Sequence, residues 1–109
     1  MAHQEHQSCI EACVRCAGEC EHCGDACLGE MPECARLCID CADMCWTCAG
    51  FMSRGSHLAP DLCRVCAEAC DDCAAECAKH EVEHCRRCAE ACRRCADECR
   101  KVAGMAARA

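Results

Sequence analysis

The chain repeats one step almost without interruption. Cys9, Cys13, Cys16, Cys20, Cys23 and Cys27 follow one another at intervals of 4, 3, 4, 3 and 4 residues. Cys34, Cys38, Cys41, Cys45 and Cys48 continue at 4, 3, 4 and 3. Cys63, Cys66, Cys70, Cys73 and Cys77 run 3, 4, 3 and 4, and Cys85, Cys88, Cys92, Cys95 and Cys99 repeat that order. Alternating 3 and 4 marks the buried seam of an amphipathic helix, the positions leucine normally fills. The pattern predicts four helices, at about 3–28, 32–52, 60–80 and 83–106, each turning sulfur toward a common core.

The interruptions fit that reading. Gly29, Glu30, Met31 and Pro32 break the first helix from the second, and Pro32 suits a first helical turn. Residues 53–60 form the one longer loop, after which Pro60 and Asp61 open the third helix. Connections this short make consecutive helices antiparallel neighbours. The expectation is an all-α, antiparallel up-down-up-down four-helix bundle with a cysteine-lined core, residues 1–109 forming a single domain. Small residues flank the seam: Ala12, Ala17, Gly24 and Ala26 on the first helix, Ala67, Ala69 and Ala74 on the third, Ala89, Ala91 and Ala96 on the fourth. Glu76 and Glu98 share that phase. Flanks this small let helices approach closely at no cost in helix propensity.

Composition sharpens the pattern. Cysteine accounts for 21 of 109 residues, whereas four Leu, two Ile, four Val and one Phe supply few large apolar side chains. Such a balance ordinarily signals disorder or a disulfide scaffold. The strict helical phase argues against both, and the odd cysteine count and the strain of bridging thiols on one regular helix argue further against the second. A net charge of −7 disfavours nonspecific nucleic-acid binding, and one Trp with one Phe offers no platform for stacking bases. No stretch approaches the roughly 20 apolar residues needed to cross a bilayer. The N-terminus lacks the pattern of a secretion signal. The expected compartment is the cytoplasm, where cysteine clusters mean metal binding or catalysis. No βαβ pattern accompanies the CxxC pairs, so a redox enzyme is disfavoured and no catalysis is expected.

Thiolates three or four residues apart on one helical face, with Cβ atoms about 5–6 Å apart, can close on one ion without distorting the backbone. A soft monovalent ion that accepts two or three sulfurs, Cu(I), suits this best. Zinc prefers four ligands, usually gathered by turns. Charge points the same way. Cu(I) bridged by shared thiolates at near one ion per sulfur gives an almost neutral core, whereas stacked tetrathiolate zinc sites would each carry −2. The alternatives left open are a general soft-metal (zinc or cadmium) buffer, an iron–sulfur electron carrier and a bundle whose cysteines only pack.

Extending each beat past its last cysteine brings His6, Met31, Met52, His80 and Val102 into the core phase. In the expected topology Met31, His80 and the adjacent His84 share one end, as softer-site ligands and the expected metal entrance. His6, Phe51, Met52, Leu62, Val102 and Met105 gather at the other, which reads as apolar closure. His3, His22 and His57 fall off the core phase and are expected to face solvent. Arg86, Arg87, Arg93, Arg94, Arg100 and Lys101 recur at seven-residue spacing on the fourth helix, a solvated or salt-bridged face for which Asp71 and Asp72 are candidate partners.

The repeated CxxxC and CxxC steps on four helices, from Cys9 to Cys99, resemble the cytosolic bacterial copper storage protein family. The resemblance implies a cysteine-lined four-helix bundle, storage of multiple Cu(I) ions, each core cysteine as a candidate ligand, and a homotetramer. Leu37, Ile39, Met44, Trp46 and Phe51 on the second helix, with Val14 and Leu28 on the first, are apolar outside the core stripe and are the expected subunit interface.

Overall fold

The computed structural model describes residues 6–104. Four α-helices account for most of them: α1 Gln7–Cys27, α2 Pro32–Ser53, α3 Ala59–Cys77 and α4 Glu83–Ala103. No strand occurs among the described residues. Proline occupies the first turns of α2 and α3, with Glu33 and Asp61 beside it, and Glu83 opens α4. Acidic side chains there, and Arg100 and Lys101 in the last turn of α4, complement the helix dipole. None of the four helices has a side-chain hydrogen bond at its N-cap. Their ends are therefore held by packing more than by local caps.

The helix ends have local causes. Leu28 leaves α1 in an extended conformation, and Gly29 follows at φ 85°. α3 stops at Cys77, short of residue 80, because the N–H groups of Lys79 and His80 reach back only three residues, to the carbonyls of Glu76 and Cys77 (3.1 Å each). That is a 3₁₀-like tightening. α4 stops at Ala103 because Gly104 adopts the left-handed conformation at φ 72°, the usual glycine stop. Residues 3–5 and 105–106 of the expected first and fourth helices, and with them His3 and Met105, lie outside the described residues.

Each helix packs on two neighbours. α1 contacts α2 and α4, and α3 contacts α2 and α4, while the diagonal pairs scarcely meet. Consecutive helices are thus adjacent and antiparallel around a square. All 21 cysteines are buried, together with Met52 and a set of alanines. Ala12, Ala17 and Gly24 of α1, Ala67 and Ala74 of α3, and Ala89, Ala91 and Ala96 of α4 are buried as their phase requires, whereas Ala26 is exposed and Ala69 half-buried. α2 contributes the same kind of seam through Ala35, Ala42 and Ala49. The α1–α2 approach is close. A Cβ built on Gly24 would lie 3.3 Å from Cys38 Cβ and 3.5 Å from Ile39 Cγ1.

The outer faces are polar with apolar islands. Arg87 pairs with Glu19 (3.1 Å) and Arg86 with Glu83 (3.2 Å). Arg100 departs from its row: only 5% exposed, it lies between Asp71 of α3 and Asp97 of α4 and ties the two helices together. Val14, Leu28, Ile39 and Trp46 are exposed, while Leu37 and Met44 lean on the core. Trp46 Nε1 donates to Glu21 (3.1 Å), bridging α2 to α1. No helix among the described residues is long and apolar enough to cross a membrane.

Candidate metal centre

The helical phase makes a continuous sulfur lattice. Neighbouring Sγ atoms lie 3.6–4.0 Å apart in one interlinked set running the length of the core: Cys16–Cys92 3.6 Å, Cys20–Cys92 3.7 Å, Cys41–Cys70 3.6 Å, Cys45–Cys66 3.7 Å and Cys9–Cys99 3.7 Å are representative. No cysteine is bridged by a disulfide. Contacts within a helix, such as Cys16–Cys20 and Cys41–Cys45 (3.9 and 4.0 Å), alternate with contacts across helices. Both kinds follow from the 3–4 step, which stacks thiols on one face and aims that face at three other helices.

Sets of four sulfurs, all within 4.8 Å of one another, recur along the axis. Cys23, Cys34, Cys77 and Cys85 take one thiol from each helix, as do Cys16, Cys45, Cys70 and Cys95. Neighbouring sets share members. Cys95 joins the set Cys13, Cys66, Cys95 and Cys99 to the set containing Cys16 and Cys45. Cys16 joins that set to Cys16, Cys20, Cys41 and Cys92, whose Cys20 and Cys92 recur with Cys73 and Cys88. Distance alone does not select the metal, because a tetrahedral zinc with Zn–S near 2.3 Å would also place its sulfurs about 3.8 Å apart. Sharing does. Fused sites need thiolates that bridge, and bridging with a monovalent ion is what keeps the charge of a dry interior small.

Without metal these thiols are held neutral where burial dominates. Burial first, then the neighbouring thiol of Cys27, pushes Cys34 up to about 12. Burial likewise raises Cys27 and Cys85. A group raised in the folded state favours folding fully below its ordinary value, 9.0 for a thiol, and that contribution disappears as pH climbs toward the folded value. The metal-free protein should therefore keep its melting temperature up to about pH 9 and lose it steeply toward pH 12. Circular dichroism melts across that range check it; equal stability at pH 8 and pH 11 would contradict the neutral-thiol account.

The two ends of the lattice differ. At one, His84 Nδ1 sits 3.3 Å from Cys23 Sγ and 3.6 Å from Cys85 Sγ, with the exposed His22 ring edge-on to it at 6.2 Å between centroids. His80 lies at the same end but its Nε2 faces the Glu76 carboxylate at 3.0 Å. The hydrogen bond to His80, then that to Lys79, holds Glu76 below the usual carboxylate range. Met31 packs half-buried against the core. Of Met31, His80 and His84, it is His84 that stands within hydrogen-bonding distance of thiols. His57 is exposed, as its phase requires. At the other end Leu62 and Val102 lean on the core, Phe51 stacks with Arg54, and Met52 is wholly buried.

The comparisons agree with this geometry. The sequence profile of the copper storage protein family (Csp) matches residues 2–104. Apo copper storage protein 3 from Bacillus subtilis is similar at a TM-score of 0.86 and 41% identity, over 89% of this chain and 97% of that one. A cytosolic copper storage protein from Streptomyces lividans with five coppers gives 0.87 and 38%, over 97% and 98%. The Streptomyces lividans protein loaded with 10 copper equivalents gives 0.86 and 38%, over 94% and 86%. No curated protein sequence matches the chain significantly. The chain belongs to the copper storage protein family.

Proposed function

We propose that this chain stores and sequesters multiple Cu(I) ions as thiolate complexes along the bundle core, without catalysis. The observation that carries the reading is the sharing of Cys16, Cys20, Cys92 and Cys95 between adjacent four-sulfur sets. Each arriving ion displaces protons from the thiols it binds, so copper and protons compete and the apparent affinity weakens toward acid. All 21 cysteines are proposed ligands, with His84, His80 and Met31 as neutral donors at the entrance end. The cytoplasm is the proposed compartment, supported by the 21 free thiols and by the Streptomyces lividans relative described as cytosolic. The exposed Ile39 and Trp46 of α2 and Val14 and Leu28 of α1 support assembly into a homo-oligomer, proposed as a tetramer.

Capacity tests the reading. Two private thiolates per ion would give on the order of 10 ions, and bridging sulfurs would approach 20. The shared sets favour the upper figure. Anaerobic titration with Cu(I), followed to the point where a free chelator first captures metal, should break near that value. Saturation near five would overturn bridged storage. Elemental analysis of protein isolated without oxygen separates the competing chemistries: zinc would indicate a general soft-metal buffer, and iron with acid-labile sulfide an electron carrier.

A further inference from the structure

Met52 is the one side chain of the described core, other than cysteine and alanine, that is completely buried, and the largest such. It stands at the next step of the α2 beat, four residues after Cys48. On a helix that places it on the same face as Cys48, one turn along. The Cys63 thiol of α3 points at it and donates to Met52 Sδ at 3.7 Å. Cys63 also neighbours Cys48, Cys9 and Cys99. Met44 and Met31 are only partly buried, so Met52 is the described methionine placed wholly inside the sulfur lattice. A leucine would plug this end equally well by volume, so closure alone does not explain a thioether against a thiol.

We propose that Met52 is a metal ligand: its thioether is the neutral third donor to a terminal Cu(I) held by the thiolates of Cys48 and Cys63. This rests on the storage function proposed above. Binding releases two protons, one from each thiol, and one Cu⁺ enters, leaving the site at −1; the thioether adds no charge. The placement has an electrostatic reason. Along the middle of the core each thiolate can be shared with an ion on either side. The last ion has no further ion beyond it, so a third thiolate there would leave an extra negative charge in a dry interior. A thioether supplies the soft donor without that cost. The His84 imidazole, against Cys23 and Cys85, is placed to end the lattice in the same manner at the opposite end, since a ring nitrogen that binds copper adds no negative charge. Both ends of the sulfur lattice are closed by uncharged donors.

Selenium tests this directly. In the full chain carrying Met31→Leu, Met44→Leu and Met105→Leu, selenomethionine incorporation leaves Met52 as the only selenium site besides Met1. After anaerobic Cu(I) loading, selenium-edge X-ray absorption should show copper at bonding distance, a signal that packing alone cannot produce. In parallel, Met52→Leu should keep its helix content while the last ion is lost to chelator about tenfold more readily. A core that fills with copper while selenium sees only carbon, or a Met52→Leu chain that holds every ion as tightly as before, overturns the ligand role and leaves storage standing. A chain that takes up no Cu(I) overturns both.

Discussion

Loading with Cu(I) should raise the melting temperature by at least about 30 °C, since each site filled at a thousandfold excess over its Kd contributes about 4 kcal/mol. A domain of this size shifts by about 4 °C per kcal/mol, so even a few filled sites reach that figure. The metal-free bundle starts low. Its core is cysteine and alanine with a single methionine, its large aliphatics are few, and its helices lack side-chain N-caps. Metal adds what such a core lacks, links between helices: the sets Cys23, Cys34, Cys77, Cys85 and Cys16, Cys45, Cys70, Cys95 each draw on all four. Differential scanning calorimetry without oxygen, at increasing copper per chain, measures the shift. An unchanged melt at full loading would mean that the ions sit outside the core.

The second large effect concerns the closeness of α1 and α2. Gly24→Leu should destabilise the metal-free protein by about 1–3 kcal/mol, the usual cost of forcing extra methylenes into a packed interior. The Cβ alone would press on Cys38 Cβ at 3.3 Å, and the carbons beyond it have only Ile39 and the α2 backbone to displace. Gly18, six residues earlier on the same helix, has nothing within 4 Å of such a Cβ. Gly18→Leu should therefore stabilise slightly, by up to about 1 kcal/mol, because leucine is the better helix former. Copper capacity should separate the pair as well. Pushing α1 from α2 opens the gap between Cys23 and Cys34, whereas Gly18→Leu leaves the lattice intact. Denaturant unfolding and Cu(I) titration of both variants decide it, and equal behaviour would show that the α1–α2 approach is not what sets the sulfur spacing.

The sequence predicted the core unusually completely because one residue type marked it. Every cysteine placed inward by its 3–4 phase is buried, for a helix offers that phase only one face. The topology followed from loops too short to do anything but reverse the chain. The alanine seam of α2 was harder to see. Ala35, Ala42 and Ala49 share the phase of their counterparts, but Leu37, Ile39, Met44 and Trp46 make that helix apolar on several sides and blur which side is inner. Arg100 belongs to a periodic basic row whose period does not say which member folds inward. That depends on how far α3 is offset along α4, which brings Asp71 opposite Arg100. Met52 reads as apolar closure from its position, and only the Cys63 contact reveals its sulfur as part of the lattice. His80 likewise lies at the His84 end of the bundle, where Glu76 one turn back holds its ring.

Twenty-one is an odd number, and most of the thiols it counts lie in one linked row. However oxidation pairs them, one sulfur within the chain stays unpaired. Held 3.6–4.0 Å from its neighbours, that sulfur can attack an adjacent disulfide and pass its unpaired status along the row. An oxidised core of this parity always keeps one thiol from which exchange can restart, so disulfides deep in the row can be relayed to a single accessible point and reduced there one after another, each consuming two electrons from the external reductant.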